Sequence, residues 1–270
     1  MSKYCKKGKV YIVGAGPGDP GLITVAGLQK LKQADVVVYD RLVNTDLLRY
    51  CKKNCEKIFA GKESGYHTIE QEQITEILIA RAALGMTVVR LKGGNPFVFG
   101  RGSEEAIALK KAGIEFEIIP GITSGLSAPI YSGIPITHRG LITQCVLVTG
   151  HESPDKSRPQ VEWDKLANMR NTTIIIYMGA SKIETICQKL IKNGMSPSTP
   201  AAVIENGTLK NQRCITARLD CIARESMSRG FHAPAIIIIS PTVEMRDLMS
   251  WYEEKLPLEK RIALTEDEHI

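Results

Sequence analysis

The chain alternates short runs rich in valine and isoleucine with segments of helical periodicity. This alternation is typical of parallel strands joined by crossover helices, because each strand needs a long connection to return beside its neighbour. At 270 residues the chain is long enough to bury two modest cores. The pattern therefore predicts an α/β fold made of two α/β domains with mostly parallel sheets.

The predicted elements fall into two halves. Strands of the first half lie at VYIVG (10–14), VVVYD (36–40), KIFA (57–60), TVVRL (87–91) and FEIIP (116–120), with helices near 24–33, 45–51, 70–84 and 103–112. Strands of the second half lie at QCVLVTG (144–150), TTIIIYMG (172–179), AAVIEN (201–206), QRCIT (212–216) and PAIIIIS (234–240). The Gly- and Pro-rich stretch at 127–140 separates them. We predict an N-terminal domain at 1–136, a C-terminal domain at 137–245, and a C-terminal helix with a frayed tail at 246–270.

The composition, with 43% hydrophobic and 24% charged residues, is that of an ordinary globular protein. Apolar runs such as AIIII at 235–239 are too short to cross a bilayer, and the basic start MSKYCKKGKV lacks the apolar core of a signal peptide. We therefore expect a cytoplasmic protein without a membrane anchor. The net charge of +6 is spread among acidic residues, and aromatic residues make up 6%. This favours an acidic small molecule over a nucleic-acid partner.

The seven cysteines are scattered, without the paired C-x-x-C spacing of zinc sites or disulfide frameworks. Cys51 and Cys55 are spaced to share a helix face, but no further ligands follow nearby. We expect reduced thiols and no metal.

A glycine-rich loop, VGAGPGDPG at 13–21, follows the first predicted strand. A dinucleotide fingerprint requires G-x-G-x-x-G leading directly into a helix, whereas this loop reads G-x-G-x-G. Pro17 and Pro20 also remove two backbone N–H groups that a phosphate would use. The spacing argues against a nicotinamide cofactor and leaves two interpretations open, a tight turn without a ligand and a loop shaped for a different ligand.

Five consecutive predicted strands end in segments loaded with Gly, Pro and polar residues. These segments are GAGPGDPG (14–21), DRLV (40–43), GKESG (61–65), KGGNPFVFGRG (92–102) and PGITSG (120–125). Ligands of open α/β sheets gather at the carboxyl ends of strands. The sequence therefore predicts one composite site at that edge.

The motifs at these strand ends resemble, as an ordered set, the tetrapyrrole (corrin/porphyrin) methylase family. They are VGAGPGDPGLIT (13–24), VVVYDRLV (36–43), RLKGGNPFVFGRGSEE (90–105), PGITSGLSAPIYSGIPITHRG (120–140), VTGH (148–151) and YMG (177–179). The set extends over nearly the whole chain. The resemblance implies two α/β domains with S-adenosylmethionine in the cleft between them, and a homodimer. It also implies two successive methyl transfers to ring carbons of uroporphyrinogen III, giving precorrin-2 for sirohaem or cobalamin.

The resemblance carries roles onto matching positions of this chain. It implies Asp40 as proton acceptor and Lys62 as proton donor. It implies methyl-donor contacts at Pro17, Gly93, Gly94, Asn95, Val98, Thr123, Ser124, Met178 and Gly207. One departure is Asn95, where the family most often has Asp, so a role that needs a negative charge would be lost while hydrogen-bond acceptance is retained.

A substrate rimmed by eight carboxylates calls for several cations, and Arg is suited to bidentate pairing with carboxylates. The candidates in the strand-end loops are Arg41, Lys92, Arg101 and Arg139. Alternatives remain within the same superfamily, acting on later corrinoids, on RNA or on the diphthamide precursor. A nicotinamide oxidoreductase and a binding module without catalysis are the alternatives of other classes.

Overall fold

The computed structural model describes residues 7–61, 71–151 and 160–252. The chain divides into two compact units after Ser124, and each unit is built on one five-stranded sheet with helices. This confirms the predicted α/β fold. The domain boundaries predicted at 136/137 and 245/246 stay predictions, and residues 253–270 of the tail lie outside the described range.

The first unit is built on a parallel sheet of strand order β3-β2-β4-β1-β5. Its strands are β1 (Lys9–Gly14), β2 (Val36–Tyr39), β3 (Glu56–Phe59), β4 (Thr87–Lys92) and β5 (Glu115–Ile119), and its helices are α1 (Val25–Gln33), α2 (Gln71–Ala83) and α3 (Gly102–Lys111). Short 3₁₀ helices lie at Pro20–Leu22 and Thr45–Tyr50, the second where the sequence predicts a helix.

Both faces of this sheet are buried, which explains why its strands read as continuous apolar runs. On one face Val38 and Val88 pack with Leu78 of α2 and Leu109 of α3. The other face carries Val13, Val37, Val89 and Leu91, which pack with Leu31 of α1. The alternation of side chains along each strand divides the residues between these two cores.

The second unit has a mixed sheet of strand order β6-β7-β10-β8-β9. Its strands are β6 (Gln144–Thr149), β7 (Thr172–Tyr177), β8 (Pro200–Glu205), β9 (Arg213–Arg218) and β10 (Ala235–Ile239), and the helices are α4 (Ser124–Tyr131), α5 (Trp163–Ala167), α6 (Ile183–Lys192), α7 (Ile222–Ser228) and α8 (Arg246–Met249). Two further 3₁₀ helices lie at Ala180–Lys182 and Pro241–Met245. Helix α4 starts at the division between the units.

Parallel pairing holds throughout the first sheet and between β6 and β7, whereas the other three pairings of the second sheet are antiparallel. The connection from β8 to β9, residues 206–212, is too short for the crossover that a parallel pair requires. All ten predicted strands are present. Helix α4 lies in the Gly- and Pro-rich stretch predicted as a junction, with Pro129 inside it.

No helix in the described part of the chain combines the length and apolarity needed to cross a membrane.

Candidate functional site

The strands of the first sheet end at one common edge because all of its pairings are parallel. The segments that leave this edge after β1, β2, β4 and β5 are rich in Gly, Pro and polar residues, as the sequence predicts. Residues 62–65 of the fifth predicted segment, which follows β3, lie outside the described residues. Asp40 follows β2, Gly93 follows β4 and Pro120 follows β5.

Three glycines make the close backbone approach at this edge possible. A Cβ on Gly14 would lie 2.5 Å from the backbone nitrogen of Gly121, and a Cβ on Gly121 would overlap the carbonyl oxygen of Gly94. Gly94 also has φ of +67°, a left-handed conformation that favours glycine. These glycines therefore allow the loops after β1, β4 and β5 to pack backbone against backbone at this edge.

The first two backbone amides of the glycine-rich loop after β1 donate hydrogen bonds within the protein. The amide of Ala15 donates to the carbonyl of Lys92 at 2.7 Å, and the amide of Gly16 donates to the carbonyl of Gly94 at 3.3 Å. Pro17 has no N–H to offer. These hydrogen bonds join the loop to the end of β4 and the segment after it, so the two amides are not free to bind a phosphate. This agrees with the G-x-G-x-G spacing, which argues against a dinucleotide-binding loop.

Asp40 is held in a defined orientation at the end of β2. Its Oδ1 accepts hydrogen bonds from the amides of Leu42 at 3.2 Å and Gly93 at 3.4 Å. Its Oδ2 lies 3.6 Å from Nη2 of Arg90, and the side chain is 27% exposed. One carboxylate oxygen is therefore anchored, while the side chain remains accessible at the edge where the loops converge.

Beneath Asp40 lies a buried group of charged and polar residues, which we call the Glu105 cluster: Gln71, Arg90, Lys92 and Glu105. Glu105 Oε1 accepts from Gln71 Nε2 at 2.9 Å, from Arg90 Nε at 3.1 Å and from Lys92 Nζ at 2.9 Å. Burial alone would raise the pKa of Glu105, but Arg90 and Lys92 outweigh it and bring the pKa below its usual value. Burial, with Arg90 alongside, lowers the pKa of Lys92 despite the opposing effect of Glu105.

Arg90 and Glu105 are site residues that sequence reasoning missed. The available signal is that Arg90 and Lys92 alternate in a strand whose other residues are mostly apolar, so both project from one face. That face is the one covered by α2 and α3, and Glu105 lies on α3 in position to neutralise them.

The predicted carboxylate-binding cations lie in different surroundings. Lys92 is 4% exposed and its ammonium donates to Glu105. A ligand carboxylate would therefore have to share that ammonium with Glu105. Arg41 is exposed in the loop after β2. Arg101 is exposed and makes a bidentate pair with Glu104, at 3.0 and 2.7 Å. Arg139, in the second unit, is exposed.

Asn95 uses both ends of its side-chain amide inside the protein. Its Nδ2 donates to the carbonyl of Gly121 at 3.0 Å, and its Oδ1 accepts from the amide of Phe97 at 2.9 Å. The reverse orientation would set oxygen against a carbonyl and N–H against N–H, so these partners fix the orientation of the amide. A contact of this residue with a ligand would fall to its backbone.

The other predicted donor contacts of the first unit lie on the same loops. Pro17 and Val98 are partly exposed after β1 and β4, and Ser124 is partly exposed after β5. Thr123, beside it, is 8% exposed. Lys62, the predicted proton donor, lies outside the described residues.

In the second unit, the strand ends after β7 and β8 share one edge because β10 runs antiparallel to both. Met178 follows β7 with φ of +55° and a 51% exposed side chain. Gly207 follows β8, and a Cβ there would overlap Ala128 of α4. Asn206 and Thr208 flank it with φ of +51° and +70°. A left-handed conformation is costly for a β-branched residue such as Thr208, and such residues cluster at functional loops, so this edge is also a candidate binding surface.

The described ranges contain no group of three or more His, Cys, Asp or Glu arranged to hold a metal ion. The six cysteines among the described residues are free thiols.

Comparison with known proteins identifies the family. The profile of the Tetrapyrrole (Corrin/Porphyrin) Methylases matches residues 9–223. The chain belongs to this family. The resemblance inferred from the strand-end motifs is thus confirmed. This methylase is 48% identical, over 241 residues, to the uroporphyrinogen-III C-methyltransferase of Methanocaldococcus jannaschii, covering 89% of the chain and 98% of the relative.

Two further comparisons define the extent of the likeness. The methylase is 46% identical over 250 residues to the uroporphyrinogen-III C-methyltransferase of Bacillus subtilis, covering 93% of the chain and 51% of that relative. It therefore spans about half the length of that protein. The crystal structure of uroporphyrin-III C-methyl transferase from Thermus thermophilus complexed with S-adenyl homocysteine matches with a TM-score of 0.73 and 34% identity, over 87% of this chain and 93% of that one.

Proposed function

We propose that this methylase is an S-adenosylmethionine-dependent C-methyltransferase that adds two methyl groups to ring carbons of uroporphyrinogen III. The product would be precorrin-2, the precursor of sirohaem and cobalamin. The observation that carries the proposal is the likeness to the uroporphyrinogen-III C-methyltransferase of Methanocaldococcus jannaschii over almost the full length of that enzyme. The solved relative that holds S-adenyl homocysteine supports the choice of methyl donor.

The chemistry asks little acid or base assistance at the methyl group itself. S-adenosylmethionine supplies an electrophilic methyl on a sulfonium, which the ring carbon takes while the carbon–sulfur bond breaks. The protein then contributes alignment and exclusion of water. At the edge formed by Gly14, Gly94 and Gly121 the loops pack backbone against backbone, which holds them in a fixed alignment for this task.

A ring carbon that gains a methyl group also gains positive charge, and a proton must leave the ring. Asp40 is the residue we propose to accept it, since its Oδ1 is anchored by two backbone amides and its side chain is partly exposed at the strand-end edge. Lys62 remains the predicted proton donor.

The proposed ligand contacts follow the predicted positions. In the first unit Pro17, Gly93, Gly94, Asn95, Val98, Thr123 and Ser124 are proposed to contact the methyl donor; in the second unit Met178 and Gly207 are. The exposed guanidinium groups of Arg41, Arg101 and Arg139 are proposed to pair with carboxylates of the substrate, and Lys92 stays a prediction of the same kind. A homodimer and a cytoplasmic location belong to the same proposal.

The test is an anaerobic incubation of the protein with S-adenosylmethionine and enzymatically generated uroporphyrinogen III, followed by mass spectrometry after oxidation. The expected result is a gain of two methyl groups with a matching amount of S-adenosylhomocysteine. Tight binding of S-adenosylhomocysteine without any mass gain would contradict the proposed substrate. The same assay would then be repeated with later corrinoids, RNA and protein acceptors.

A further inference from the structure

We infer that Arg90 is a positioning residue for Asp40, and that Glu105 holds Arg90 in the orientation this requires. The inference rests on the proposed role of Asp40 as proton acceptor and deepens it. It concerns residues that lie under the strand-end edge rather than at the ligand-facing surface.

The sheet register places Arg90 directly below Asp40. Arg90 pairs with Val38 across β4 and β2, and Asp40 lies two residues beyond Val38 along the chain. Side chains two residues apart in an extended segment project to the same side. Arg90 therefore points into the layer between the sheet and its covering helices, two residues along the strand from the edge at which Asp40 lies.

Contacts on each nitrogen fix the guanidinium of Arg90. Nε donates to Glu105 Oε1 at 3.1 Å, and Nη1 donates to the carbonyls of Val38 at 3.3 Å and Leu91 at 3.2 Å. The remaining nitrogen, Nη2, faces Asp40 Oδ2 at 3.6 Å. Because the guanidinium is planar and rigid, the first three contacts determine where Nη2 points. A side chain that is 3% exposed has little freedom to adopt another orientation.

The charges of Asp40 and of the three charged residues of the Glu105 cluster sum to zero. Arg90 and Lys92 supply two positive charges, and Asp40 and Glu105 supply two negative charges. Asp40 is 27% exposed, whereas the side chains of the other three are 0–4% exposed. Without Glu105, two cations would be buried close together, so the carboxylate of Glu105 is what permits a cation to be held beneath Asp40.

The hydrogen bonding of Glu105 argues against a purely stabilising purpose. Its three donors all converge on Oε1, while the buried Oε2 has no hydrogen-bond partner among the described residues. Leaving a buried carboxylate oxygen unpaired is costly, and apolar replacements of buried ion pairs are often equally or more stable. The cluster is better explained by the orientation it gives to Asp40.

The first test is a double-mutant cycle of methyl transfer with Arg90→Met, Asp40→Asn and the double variant. We expect Asp40→Asn to lower kcat about a hundredfold, and Arg90→Met to lower it about tenfold or more. If Arg90 acts through Asp40, the double variant retains the kcat of Asp40→Asn alone. Multiplying effects would overturn the inference while leaving the base role intact. An unchanged kcat in Asp40→Asn would instead remove the base role itself.

A second variant and a structural readout cover poor folding and a wrong substrate. Arg90→Lys keeps the buried positive charge but lacks the rigid guanidinium. We expect this variant to lose turnover as well, while its affinity for S-adenosylhomocysteine stays within about twofold of the parent. Wild-type turnover would contradict the inference. A crystal structure of Arg90→Lys is expected to have the Asp40 carboxylate shifted from the amides of Leu42 and Gly93. An unmoved carboxylate would overturn the inference whatever the substrate proves to be.

Arg81→Met, which breaks the exposed pair with Glu56, is the matched control and should retain parental kcat.

Discussion

The side-chain amide of Asn95 donates a hydrogen bond to the carbonyl of Gly121 across 3.0 Å, joining the segment after β4 to the segment after β5. These residues are 26 positions apart in the sequence. The bond requires a donor, which an ionised carboxylate lacks. Asn95 therefore supplies a link between two loops of the candidate site.

Asn95→Asp should lower the free energy of unfolding by about 1–2 kcal/mol at neutral pH, because a carboxylate would face the Gly121 carbonyl. Urea unfolding of the parent and the variant measures this difference. The difference should narrow in acid, where the protonated carboxyl regains a donor. Equal midpoints at pH 7 would show that the Asn95–Gly121 bond contributes nothing.

Gly121→Ala should disrupt the same edge from the backbone side. The new Cβ would overlap the carbonyl of Gly94, so we expect a loss of about 1–3 kcal/mol in stability together with weaker S-adenosylhomocysteine binding. Gly21→Ala is the control, since the nearest atom to its Cβ is a side-chain oxygen of Asp19 at 3.2 Å. Calorimetric binding and thermal unfolding of both variants test the prediction, and equal behaviour of the two would contradict it.

Arg101→Ala should raise the KM for the tetrapyrrole about tenfold while changing the KM for the methyl donor little, because the lost guanidinium is proposed to pair with a substrate carboxylate. Titrating each substrate at saturation of the other measures the two constants. Arg49→Ala, another exposed arginine, serves as the control. A larger effect on the methyl donor would reassign Arg101.

Glu105→Gln should change how stability depends on pH. The pKa of Glu105 in the folded chain lies below its usual value, so its contribution to stability is present at neutral pH and is lost as the pH falls through that lowered pKa. The variant lacks this loss and leaves Arg90 and Lys92 without their counter-charge. We expect it to be less stable than the parent at pH 7, with a difference that shrinks toward pH 3. Unfolding free energies measured across that range test this, and a constant difference would contradict it.

The positions of the ten strands and the membership of the methylase family follow from local patterns of the sequence. Apolar runs of strand length, interrupted by Gly and Pro, mark the elements, and a set of ordered motifs marks the strand ends. The same patterns predict that the residues after β1, β2, β4 and β5 meet at one edge, because parallel strands end on the same side.

Tertiary structure alone decided the pairing of the second sheet, the helix at Ser124–Tyr131 and the Glu105 cluster. Strand direction depends on which distant segment each strand finds, and α4 forms around Pro129 where local propensity indicates a junction. Glu105 follows Arg90 by 15 positions, and no local sequence pattern indicates that the two side chains pair. Its role emerges only when helix α3 packs on β4 and buries two cations that need a counter-charge.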